Sequence, residues 1–262
     1  KWNLSSCLIK QKKYDVALNF LNEAKKMMEF FNELESVGSI TNQIGTVYED
    51  IGYFKDAKNA YQFSIGIFNR INDKVKECES LIKLENLYLR NKHFEEAVSV
   101  QKRVCVIKLS LNDLQNEGRQ RSNLANTLIK LNRYDEALDE INRAIECNNK
   151  CKNPIEPWFS YSILCFIQVE KNNSSAANQA WKKAFNSYLD FRKDGGSSQC
   201  YSIQIIEMFK NGIQKKRTAE LVAMIEQYAS IYFPEVSKYF FSKLKAIYGG
   251  KRDILFAKDV EL

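Results

Sequence analysis

The chain has 262 residues, with 39 Lys and Arg against 32 Asp and Glu, a net charge of +7 and a single histidine. With 3 Pro and 10 Gly it is too poor in backbone breakers to be disordered, collagenous or linker-like, and 45% apolar residues suffice for a buried core. No stretch approaches the roughly 18 consecutive apolar residues of a membrane-spanning helix. The opening Lys1-Trp2-Asn3-Leu4 is not a basic run leading into an apolar one. Neither a secretory leader nor a membrane partner is expected. Without an initiating Met, the chain is expected to be a piece of a longer protein or a processed or trimmed form.

Seven cysteines (Cys7, Cys78, Cys105, Cys147, Cys151, Cys165 and Cys200) are odd in number and irregular in spacing. That pattern fits reduced thiols and a cytoplasmic location rather than a disulfide framework. Cys147 and Cys151 share a helical face, but a zinc site needs about four ligands. The lone His93 and the lack of a second cysteine pair argue against one, so neither metal nor cofactor is expected.

Taken in chain order, the predicted elements repeat every 40 residues. The first helix of each unit carries a short or small residue after an aliphatic one: Leu4-Ser5, Ile44-Gly45, Leu84-Glu85, Leu124-Ala125 and Leu164-Cys165. Nine positions on, the second helix opens at Tyr14, Phe54, Phe94 and Tyr134, with Ser174 breaking the rule. Three further on stand Ala17, Ala57, Ala97, Ala137 and Ala177, where two helices cross too closely for a larger side chain. Apolar residues at spacings of three and four give each helix one buried stripe. Gly52 and Asn132 fall in the turn between the two helices, where left-handed backbone is needed.

After residue 193 the register fades. Asp194-Gly195-Gly196-Ser197-Ser198 breaks the pattern and caps the next helix. Residues 199–211 and 216–230 read as another helix pair, with Ala219 at its crossing. Pro234 opens a further helix to about Tyr248, ended by Gly249-Gly250. The expected division is therefore 1–193, five helix pairs, and 194–262, a degenerate pair with a C-terminal capping helix.

Ile44-Gly45-x2-Tyr48-x3-Gly52-x-Phe54-x2-Ala57-x3-Tyr61 and Leu124-Ala125-x2-Leu128-x5-Tyr134-x2-Ala137 resemble the tetratricopeptide repeat. The usual period of that repeat is 34. The longer period here, with Ile71-Asn72-Asp73-Lys74-x2-Glu77 and Leu111-Asn112-Asp113-x3-Glu117, is similar to the long subtype of LGN-type adaptors, Rap-type regulators and sensor arrays of bacterial signalling ATPases. The resemblance implies an all-α, right-handed solenoid of about six helix pairs with an irregular C-terminal end. It also implies a non-enzymatic module that binds a peptide or helical segment of another protein in its concave groove, as scaffold or regulatory subunit.

Helical spacing places the groove-facing positions on the first helices. The expected partner-binding set is Asn42, Thr46, Asn86, Arg90, Arg119, Asn126 and Lys130, with Phe159 and Phe166 as an apolar anchor. Asn86 and Asn126 stand one unit apart, and an amide both donates and accepts, so it can pair with a ligand's main chain whatever its side chains are. The lysines by which chaperone-clamp members of the family hold a terminal carboxylate are missing.

Nothing assembles a catalytic constellation. His93 lies in a turn, Gly249-Gly250-Lys251 lacks the rest of a phosphate loop, and Glu95-Glu96 and Asp135-Glu136 suit the positive end of a helix dipole. Two alternatives stand beside the groove. The chain is the regulatory arm of a larger enzyme, such as a signalling ATPase or a caspase-like protease. Or the basic C-terminal part, densest at Lys215, Lys216 and Arg217, binds nucleic acid.

Overall fold

The structure, a computed structural model, describes residues 11–151 and 157–193. Among them are nine helices and no strand: α1 (Tyr14–Phe30), α2 (Leu34–Asp50), α3 (Phe54–Arg70), α4 (Lys74–Arg90), α5 (Phe94–Ser110), α6 (Leu114–Lys130), α7 (Tyr134–Lys150), α8 (Pro157–Glu170) and α9 (Ser174–Lys193). Each packs mainly against its neighbours along the chain. The architecture is an all-α repeat solenoid: four complete pairs, α2–α3 to α8–α9, preceded by α1. The readings for residues 1–10 and 194–262, including Ala219, Lys215, Lys216 and Arg217, lie outside the described residues.

The seven helices α1 to α7 each have 17 residues, and three-residue turns join them as far as α7. The middle residue of each turn is left-handed: Asn32, Gly52, Asn72, Lys92, Asn112 and Asn132, and again Asn172 between α8 and α9. The expectation at Gly52 and Asn132 holds, with φ +84° and +57°. The turns between units have the same form as those within them. At each, the N–H after the left-handed residue bonds back to the helix's third-last carbonyl, as Glu33 does to Met28 at 2.9 Å and Arg133 to Leu128 at 2.9 Å. The left-handed residue bonds to the carbonyl one position later, as Asn32 does to Glu29 at 3.0 Å. These two bonds satisfy carbonyls that the helix end would leave open. Asp73 and Asp113 cap the next helices by accepting from the Lys76 and Asn116 N–H groups.

The crossing alanines Ala17, Ala57, Ala97, Ala137 and Ala177 are all fully buried. The core runs lengthwise through the array, with Tyr61, Leu81, Leu84 and Val104 in one stretch and Leu124, Leu128, Ile141 and Ile167 in the next. Phe54 stacks on His93 of the following unit at 4.9 Å, so the single histidine, also bonded to Glu96 at 3.2 Å, braces two successive turns. Cys78, Cys105, Cys147 and Cys165 are buried, Cys151 is half-buried, and none of these five forms a disulfide. Burial pushes the Cys105 thiol up to about 12. No helix among the described residues is long and apolar enough to cross a membrane.

The joints between successive units alternate in chemistry. From the second unit to the third, Asn42 Nδ2 donates to Ser80 Oγ at 3.0 Å, and Ser64 joins at 3.2 Å. From the fourth to the fifth, Ser122 and Ser160 pair at 2.9 Å and Asn148 donates to Ser160 at 3.0 Å. Gly38 and Gly118, 80 residues apart, leave room there: a Cβ would stand 2.8 Å from Phe68 Cζ and 2.9 Å from Asn148 Oδ1. The middle joint is different. The buried Glu85 carboxylate accepts from Gln101 at 2.9 Å and from Gln120 of the next unit at 2.7 Å.

Candidate functional site

Each first helix is wedged between second helices and adjoins the first helices of neighbouring units, so little of it reaches solvent. On α4 only Val75, Glu79, Asn86 and Arg90 are exposed; on α6 only Asn116, Arg119, Asn126 and Lys130. These positions form one stripe per helix, and stripes of successive units line up at 40-residue steps. Half-buried Leu89, Ile129 and Val169 lie between the exposed residues and form an apolar floor.

Within this face the expected residues fall into two groups. Asn86, Arg119 and Asn126 are exposed and make no side-chain hydrogen bond or ion pair, so their polar groups are open to a ligand. The Lys130 ammonium lies over the Phe94 ring, 5.3 Å from its centre, a contact that leaves its charge unneutralised. Phe166 is 37% exposed.

The others are engaged within the protein. Arg90 pairs with Glu49 at 2.8 Å, though its side chain remains largely in solvent. Glu49 also accepts from Tyr61 at 2.8 Å. Thr46 accepts from Lys83 at 3.0 Å and lies 3.4 Å from the Tyr61 hydroxyl. Phe159 is half-buried, packed on the core and edge-on to Trp158 at 6.1 Å. Asn42 departs from expectation: it is buried in the joint to the next unit, where its amide bonds Ser80. Its stripe position turns toward α4 and not toward solvent.

Glu85 is the residue whose role the sequence concealed. It stands where other units carry Gly45, Ala125 and Cys165, so it reads as a packing position. It is instead a buried carboxylate met only by amide donors, and burial raises its pKa. The signal was present in Gln101 and Gln120, two amides at core positions of adjacent helices.

A family profile described as tetratricopeptide repeat matches residues 121–151, the latter part of α6 and all of α7. Over this segment the chain matches a tetratricopeptide repeat, and its array of helix pairs has the fold of solved repeat structures. The repeat fold is shared with the apo form of RapI at 13% identity and TM-score 0.62, covering 92% of this chain and 70% of that one. BtubC from P. vanneervenii matches at 14% identity and TM-score 0.60, covering 93% of both. MamA from Desulfovibrio magneticus RS-1 matches at 14% identity and TM-score 0.52, covering 75% of this chain and 95% of its own. No curated protein matches the sequence. Among the described residues no group of His, Cys, Asp or Glu is placed to hold a metal ion.

Proposed function

We propose that the protein is a protein-interaction module that holds an extended peptide or helical segment of a partner on its first-helix face, as a scaffold or regulatory subunit in the cytoplasm. The observation that carries this reading is the contrast on that face. Asn86 and Asn126, one unit apart, keep their amides unbonded while Asn42, Thr46 and Arg90 are engaged within the protein. An unbonded amide pair repeated at one register suits a ligand's main chain. Arg119 and Lys130 add positive charge, and Phe166 with half-buried Phe159 supplies apolar surface at one end.

The test is a paired Asn86→Ala and Asn126→Ala variant. It keeps the helical circular dichroism of the parent and loses its peptide ligands in a phage-displayed random decapeptide selection. Retention of the same peptides by parent and variant would move the site off this face.

A further inference from the structure

Toward the C-terminal ends of the first helices, exposed residues form two lengthwise rows. One holds Asn86, Asn126 and Phe166. One helical turn further toward the helix C-termini, about 6 Å along the axis, lies the other: Asp50, Arg90, Lys130 and Glu170, all exposed. The charges of this second row run negative, positive, positive, negative. Side-chain bonds tie successive first helices directly: Asn42 to Ser80, Gln120 to Glu85, Ser122 to Ser160. Helices packed in this way stand roughly 8–10 Å apart, and a peptide in the extended polyproline II conformation advances about 3.1 Å per residue and points every third side chain the same way. One unit of the array therefore spans about three ligand residues.

Resting on the proposed peptide-binding face, we infer that its ligand is an extended peptide of polyproline II type with an acidic residue three positions from a large apolar one. The apolar side chain lies against Phe166 and Val169. Three residues away the acid meets Lys130. A second acid, a further three residues on, meets Arg90, which already shares Glu49 and adds less. Glu170 and Asp50 disfavour an acid next to the apolar residue or nine positions away, so the charge row fixes the spacing by repulsion as well as attraction. The Asn86 and Asn126 amides hold the main chain between.

The experiment uses the full chain and fluorescein-labelled decapeptides of Gly and Ser carrying one Leu and one Asp. The Asp is placed one, three or five positions from the Leu, in both chain directions, and binding is read by anisotropy. The expected result is that one direction of the three-residue spacing binds at least about tenfold tighter than the other spacings. Lys130→Glu removes that preference and restores it for the peptide with Lys in place of Asp. Phe166→Ala weakens all Leu-containing peptides equally. Lys150→Glu, the same charge change on α7, leaves the preference in place. Equal affinity at all spacings, or a preference that survives Lys130→Glu, overturns the inference. If none of these peptides binds but random decapeptides are still selected and then lost by the Asn86/Asn126 variant, the spacing is wrong and the binding face stands. If no selected peptide distinguishes that variant, the face itself is wrong.

Discussion

Gly45 lies directly beneath the ring of Tyr61: a Cβ on this glycine would stand 2.6 Å from Tyr61 Cε1. The two residues are 16 apart, on the two helices of one unit. The same pair of positions holds Glu85 with Gln101, Ala125 with Ile141, and Cys165 with Trp181. Smallest meets large in the second unit, and the fourth takes the intermediate solution. The third replaces apolar packing with a hydrogen bond. Gly45→Ala gains up to about 1 kcal/mol of helix propensity but overpacks this crossing at a cost of roughly 1–3 kcal/mol. Net destabilisation is expected in urea unfolding. Adding Tyr61→Ile copies the Ala125–Ile141 solution, so the double variant should be more stable than the sum of the two single effects, by about 1 kcal/mol or more. Simple additivity would contradict the pairing.

Glu85→Ala should be among the more damaging substitutions in the core. It leaves the Gln101 and Gln120 amide donors buried without an acceptor, at roughly 1–3 kcal/mol each. Adding Gln101→Ile and Gln120→Ser installs the residues that neighbouring units use, Ile141 and Ser80 or Ser160, and should recover most of the loss. A triple variant no more stable than Glu85→Ala would show that the polar joint is not interchangeable with the apolar ones.

The same carboxylate gives a pH signature. Burial raises the Glu85 pKa in the native state, so the folded protein binds a proton more tightly than the unfolded chain. Its effect on stability is therefore most favourable below the ordinary carboxylate pKa and is lost as pH rises through the raised native value. Glu85→Gln abolishes this contribution. The difference in unfolding free energy, wild type minus Glu85→Gln, is expected to fall as pH rises across that window and then level off. A difference that rises with pH would mean that the carboxylate is stabilised as an anion.

The turns offer a backbone test. Asn72 holds φ +57° without a side-chain hydrogen bond. Asn72→Ala should cost about 1–2 kcal/mol, since a Cβ without a local polar partner is disfavoured in left-handed backbone. Asn72→Gly should be close to neutral. Thermal melts of the two variants, compared with the same pair at Asn112, should give matching shifts.

Ala57→Trp or Ala137→Trp is expected to destabilise by about 3 kcal/mol or more, since both alanines are fully buried where helices cross. An unaltered melting curve would refute the repeat register itself.

The fold was legible because its determinants are shape requirements that recur. A helix crossing demands a small residue, so alanine returns every 40 positions. The space under the turn favours an aromatic, which marks four of the five second helices. The equivalence of the turns within and between units was harder to read. Lys12 and Lys92 occupy left-handed positions that no turn propensity announces, which interrupts an otherwise clear series of Asn and Gly. On the first-helix face, spacing alone identified Asn86, Arg119 and Asn126 as exposed positions. It misplaced Asn42, because a single helix cannot reveal that its neighbour offers Ser80 as a partner. Glu85 was missed for a related reason: whether a charge at a core position is tolerated depends on donors 16 and 35 residues away.

The alternation of serine joints with the Glu85 joint bears on how such an array can be shortened. Excising one 40-residue unit fuses surfaces that were never adjacent: the half-joint of Asn42 would meet Gln120, or Glu85 would meet Ser160. Excising 80 residues from the second unit onward rejoins like with like, bringing α1 against the glycine-bearing helix α6 in place of the glycine-bearing α2. The packing thus treats two units as its smallest exchangeable module, and deletions in whole multiples of 80 residues should fold where single-unit deletions fail.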